Sequence, residues 1–108
     1  MVYHKGLTPE RWFGMSIVEQ MANIGSEVFR AISWRERNAE YSRQALYRAL
    51  ELLDLTVEDR KNVDRLKELL RVRELLVDFL VYDNVYRSTD EQWQRYFHAF
   101  NLAANRDR

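Results

Sequence analysis

The sequence predicts an all-α fold: one antiparallel four-helix bundle, running up-down-up-down, with two long helices and two shorter ones. Three observations carry this. From Thr56 to Asp83 apolar residues recur at Val63, Leu66, Leu69, Leu70, Val72, Leu76, Phe79 and Leu80, spacings of three and four that collect on one helical face. Strand-like alternation of apolar and polar residues is absent. Only three Gly and one Pro interrupt 108 residues, a length that suits a single domain with its own core.

The first helix is expected over 8–36. Thr8 can cap it, Pro9 suits the first helical position, and Glu10 complements the positive end of the helix dipole. One apolar row runs through Trp12, Met15, Val18, Met21, Ala22, Val28, Phe29, Ile32 and Trp34. A second passes through Ile17, Met21, Ile24, Val28 and Ala31, so the face is wide enough for two neighbours. Gly14 and Gly25 each cost about 1 kcal/mol of helix propensity. Gly25 lies beside the buried face, which predicts close approach of another helix there. Residues 1–7 ahead of this helix are expected to form a short arm carrying Tyr3 and His4.

The polar segment 35–38 breaks the chain, and Asn38 is a good cap for a second helix over 39–55. Ala45, Leu46, Ala49, Leu50, Leu52 and Leu53 form its apolar row, with Tyr41 and Tyr47 at the flanks. The short connection predicts a helical hairpin. Thr56, with Asp59 three residues on, resembles a capping box and is expected to start a third helix over 57–83. At 1.5 Å per residue that helix would be roughly 40 Å long. Its outer face mixes acidic and basic residues at four-residue spacing and so neutralises itself. A fourth helix is expected over 89–104, capped by Ser88 with Glu91, or by Thr89 or Asp90. Trp93, Tyr96, Phe97, Phe100 and Ala104 form its stripe.

Seventeen basic and seventeen acidic residues leave no formal net charge, and the balance holds in both halves of the chain. Bulk electrostatics therefore give no strong nucleic-acid signal, and a neutral surface tolerates self-association. The absence of cysteine removes disulfides, thiolate nucleophiles and Cys-based zinc sites, and agrees with a cytoplasmic location. No apolar run marks a signal peptide or a membrane span.

No catalytic constellation emerges from spacing. The two His residues lie almost a chain length apart, no Glu-x-x-His pair exists for a bundle di-metal site, and no glycine-rich phosphate loop is present. No cofactor and no metal are expected. Candidate ligand- or partner-binding residues fall into three sets. Glu27, with Glu51 and Asp78, lies close to the apolar rows. Such carboxylates need partners, for which Arg30, Arg48 and Arg73 are available. Asp78, Tyr82 and Tyr86 form a polar-aromatic cluster with Asp83 and Asn84 at the end of the third helix, where binding residues collect. Arg95 and His98, three apart, face one side of the fourth helix and suit contact with a phosphate. If the first and third helices are the longer ones, they overhang the others by about two turns. Trp12, Phe13 and Met15 on that overhang are the candidate homodimer interface.

The segment Ala39 to Leu53, AEYSRQALYRALELL, with its small-residue packing pattern, resembles the HEPN superfamily of helical bundles, which are often encoded beside minimal nucleotidyltransferases. The resemblance implies a dimeric four-helix protein. Many HEPN proteins are ribonucleases with an Arg followed a few residues later by His. Here Arg95 and His98 stand too close together for that motif, so the resemblance implies a catalytically silent, nucleotide- or partner-binding member. Asn23-Ile24-Gly25 is also loosely similar to a segment of the ribosomal intervening-sequence family of four-helix proteins. The expected role is therefore a noncatalytic bundle that dimerises or binds a protein partner. A nucleotide- or anion-binding bundle is the alternative, and an RNA-processing enzyme is a third reading.

Overall fold

The computed structural model describes residues 7–106, so the expected arm with Tyr3 and His4 lies outside the described residues. Among these the chain is all-helical, with no strand. The helices are α1 (Pro9–Phe13), α2 (Ile17–Trp34), α3 (Ala39–Glu58), α4 (Leu66–Leu80) and α5 (Asp90–Arg106). A 3₁₀ helix, Arg60–Arg65, precedes α4. No helix among the described residues is long and apolar enough to cross a membrane.

The expected helix over 8–36 is two helices. Thr8 caps α1 by accepting from the Arg11 N–H, and the Gly14 N–H closes it on Glu10 and Arg11 carbonyls. Ser16 then opens α2 with a complete capping box. Its hydroxyl accepts from the Glu19 N–H while the Glu19 carboxylate accepts from the Ser16 N–H. Two orphan donors are satisfied reciprocally, and this stabilises a new start over a continuous helix. The signal, Ser16-x-x-Glu19, is plain in the sequence, but the apolar periodicity running through it masks it.

The expected long helix over 57–83 is likewise broken. Thr56 does not cap anything. It is buried inside α3, where its hydroxyl donates to the Leu52 carbonyl and accepts from the Trp12 indole N–H at 3.0 Å. Asp59 is the cap, accepting from the Lys61 N–H and opening the 3₁₀ turn. A 40 Å helix would in any case exceed the longest extent of the molecule, 34 Å. The expected third helix, one of the two long ones, is thus a 15-residue helix that stops at Leu80. At 18, 20, 15 and 17 residues, α2 to α5 are of similar length, and the expected two-turn overhang is absent.

Helix α2 is the centre of the packing, with α3 on one flank and α5 on the other; α4 packs on α3. Between α2 and α3, Trp34 meets Tyr41, the Ala31 carbonyl accepts from Ser42, and Glu27 pairs with Arg48. The partners run in opposite order along the two helices. Fully buried Ala45 and Ala49 let the backbones approach. Between α2 and α5, Arg35 pairs with Asp90 and Gly25 touches Phe97, again in opposite order. Helix α5 starts on Thr89, the alternative cap, which exchanges bonds with Gln92. Side chains join α5 to the α4 region. The Tyr96 hydroxyl donates to Glu68 at 2.5 Å, and Arg65, paired with Glu68, lies over the Phe100 ring.

The loops are held by a buried polar network. Gln20 donates to the Trp12 carbonyl and to Asp59, both at 2.9 Å. Asn62 donates to the Gln20 side-chain carbonyl and to the Thr56 carbonyl. Lys61 bonds Asp59 and the Phe13 carbonyl. Burial alone would raise the Asp59 carboxyl, but the hydrogen bonds from Lys61 and Gln20 outweigh it and hold the pKa below its ordinary value. Trp12, 1% exposed, is clamped by this network and cannot serve as an exposed dimer contact; Phe13 remains at the surface and Met15 is half-buried.

Candidate docking groove between α2 and α5

The site is built around one missing side chain. At Gly25 a Cβ would stand 2.7 Å from the Phe97 Cβ, so only glycine lets α5 come this close to α2. The expected close approach at Gly25 is observed. Beside this contact the two helices bound an open groove of about 770 Å³, lined by Gly25, Phe29 and Arg30 from α2 and by Trp93, Arg95, Phe97 and His98 from α5. Phe29 was expected in the core. It is 56% exposed and forms part of the groove wall, while Trp93 and Phe97 are buried. Apolar walls with a few polar groups at the rim describe most ligand and peptide sites.

The rim is positively biased. Glu27, only 4% exposed, accepts from Arg30 at 2.5 Å and from Arg48 at 3.0 Å. Two guanidiniums share one carboxylate, so one positive charge is in surplus. Arg95 and Glu91 stand four apart on α5, yet neither takes part in an ion pair among the described residues. No Ser, Asp or Glu among the described residues hydrogen-bonds to His98. The one hydroxyl lining the groove, Ser26, donates to the Ala22 carbonyl. The groove therefore holds no activated nucleophile or oriented base.

No protein family model, curated protein or solved structure matches this chain.

The remaining candidates separate from the groove. Asp78 is buried and accepts from the Val85 and Tyr86 N–H groups, so it ties down the crossover between α4 and α5. The crossover turns on Asn84 and Arg87, both at positive φ, and Asn84 exchanges bonds with Ser88. Tyr86 donates to Glu74 and lies under Arg71; Tyr82 is 71% exposed. Arg73 pairs with Asp54, not with Glu51 or Asp78, and one Glu51 oxygen is buried without a hydrogen-bond partner. Of the sequence candidates, then, Arg30, Arg95 and His98 line one groove, with Glu27 and Arg48 directly behind Arg30. Asp78, Tyr82 and Tyr86 belong elsewhere. Among the described residues no three His, Asp or Glu side chains group closely enough to hold a metal ion.

Sequence reasoning missed Phe29 and Trp93 as groove walls and Gln20, Asp59 and Asn62 as a network. Periodicity marks an apolar residue as facing inward on its own helix, but not whether a neighbour reaches far enough to cover it.

Proposed function

We propose that this chain is a small noncatalytic helical domain that binds a protein partner in the groove between α2 and α5. The observation that carries the reading is Phe29, a large apolar side chain left exposed at the wall of an aromatic groove. An exposed aromatic side chain beside a concave apolar surface with a polar rim is a common mark of an interaction site. The same reading takes α2 to α5 as an antiparallel up-down-up-down bundle, supported by short connections and by the opposed contact order of α2 with α3 and with α5. The HEPN-like resemblance agrees with such a bundle.

The deciding variant is Phe29→Asp. Exposure of Phe29 leaves the thermal midpoint near that of the wild type, so binding can be separated from folding. Affinity capture with quantitative mass spectrometry is expected to recover a protein with wild type that the variant loses. Equal recovery by both proteins would remove the groove from the account. Sedimentation equilibrium of both proteins tests the homodimer directly. A dimer broken by Phe29→Asp would place a second copy in the groove instead.

A second reading has its own support. Arg30, Arg95 and His98 on one groove suit a nucleotide or other phosphate-bearing ligand. Calorimetric titration with ATP and with inorganic phosphate tests it. RNA processing is tested by cleavage assays of wild type against His98→Ala, and equal inactivity of the two sinks it.

A further inference from the structure

We infer that the groove takes an amphipathic helix whose apolar stripe is flanked by carboxylates; this deepens, and rests on, the reading of the groove as a protein-binding site. Three features point there.

The first is shape. The groove follows two helices, from Ala22 to Ile32 on α2 and from Glu91 to Asn101 on α5. Ten residues of helix span about 15 Å, which matches three turns of a third helix laid alongside. The second is the floor. Phe29, 56% exposed, gives apolar contact to a partner's anchor residues beside the outer edges of the buried Trp93 and Phe97. The third is charge. The Arg35–Asp90 pair and the Gly25–Phe97 contact fix the register of α2 against α5. That register puts Arg30 across the groove and about level with Arg95. Arg30 shares Glu27 with Arg48, and Arg95 has no ion pair among the described residues; with Glu91 counted against them, one positive charge stays in surplus at the rim for a partner carboxylate. A second copy would bring an equally biased rim against this one. A nucleic acid would need a run of basic side chains along the groove, whereas two arginines line it.

The test uses the full chain, labelled with ¹⁵N, and two stapled helical peptides about four turns long. They carry the same leucine stripe, flanked by Glu in one and by Lys in the other. The Glu peptide is expected to shift amides of α2 and α5 around the groove. Its affinity should fall about tenfold in Arg95→Glu, while the Lys peptide binds that variant better than it binds wild type. Dispersed amide spectra certify that each variant is folded, and the charge-swap gain cannot arise from misfolding. Equal binding of both peptides to wild type overturns the acidic-helix inference and leaves the groove reading standing. Shifts elsewhere, or binding unchanged in Phe29→Asp, overturn both. A dimer that Phe29→Asp dissociates, or a single-stranded oligonucleotide that displaces the Glu peptide from the groove, also overturns the inference.

Discussion

Gly25 and Phe97 touch so closely that a Cβ at position 25 would stand 2.7 Å from the Phe97 Cβ. The contact sets the separation of α2 and α5 and hence the depth of the groove. Gly25→Ala gains about 1 kcal/mol of helix propensity, but overpacking against an atom next to the α5 backbone costs about 1–3 kcal/mol. The expected outcome in urea titration is a net loss of about 1 kcal/mol, and more for Gly25→Val. In a Phe97→Gly background, which removes the Cβ as well as the ring, the clash disappears and Gly25→Ala loses its packing penalty, a coupling that a double-mutant cycle reads directly.

The polar network around Trp12 makes a graded prediction. Trp12→Phe removes one hydrogen bond to Thr56, whose hydroxyl still donates to Leu52, and costs about 1 kcal/mol beyond any packing change. Gln20→Leu leaves Asn62, Asp59 and the Trp12 carbonyl each short of a buried partner and costs about 2–3 kcal/mol. Chemical denaturation of the two variants should preserve this order. A Gln20→Leu protein as stable as wild type would mean that the network contributes nothing.

Two titrations bracket the pH range of stability. The Asp59 carboxyl is held below its unfolded value of about 3.9, so the unfolded chain takes up a proton first as pH falls. Its contribution is complete above that value and is lost as pH drops through the lower folded one. Tyr96 moves the other way. Burial, then the hydrogen bond and charge of Glu68, raise its hydroxyl above its ordinary value of 10.0. That contribution holds below pH 10 and is lost as pH rises beyond it, because the unfolded tyrosine ionises first. Asp59→Asn is therefore expected to narrow its stability gap to wild type between pH 5 and pH 2.5, and Tyr96→Phe between pH 9 and pH 11. Denaturant midpoints across pH check both.

Glu27 predicts a non-additive pair. Arg30→Ala or Arg48→Ala alone leaves the buried carboxylate one guanidinium and costs about 0.5–1 kcal/mol, because both arginines are substantially solvent-screened. The double variant strands the charge and costs about 3 kcal/mol, more than the sum of its parts. Glu27→Gln in that background should recover part of the loss. Thermal denaturation of the four variants beside the wild type measures it.

The sequence by itself determined the all-helical class, the helix starts at Thr8 and Asn38, and the role of Gly25 as a point of close approach. These follow from local rules: apolar spacing, caps at Thr8 and Asn38, and the cost of glycine inside a helix. Tertiary structure decided the rest. Thr56 looked like a cap because its neighbours fit the pattern, but Trp12, forty-four residues away, makes it a core residue. Asp59 took over as the cap because Gln20 and Lys61 stabilise its charge there. Phe29 has the periodicity of a core residue and is exposed because no helix among the described residues covers its side of α2. Arg30 and Arg95 sit sixty-five residues apart and face one groove only because α5 packs against α2 at Gly25. Local patterns report what a helix can bury; which neighbour arrives to bury it is settled by packing across the whole chain.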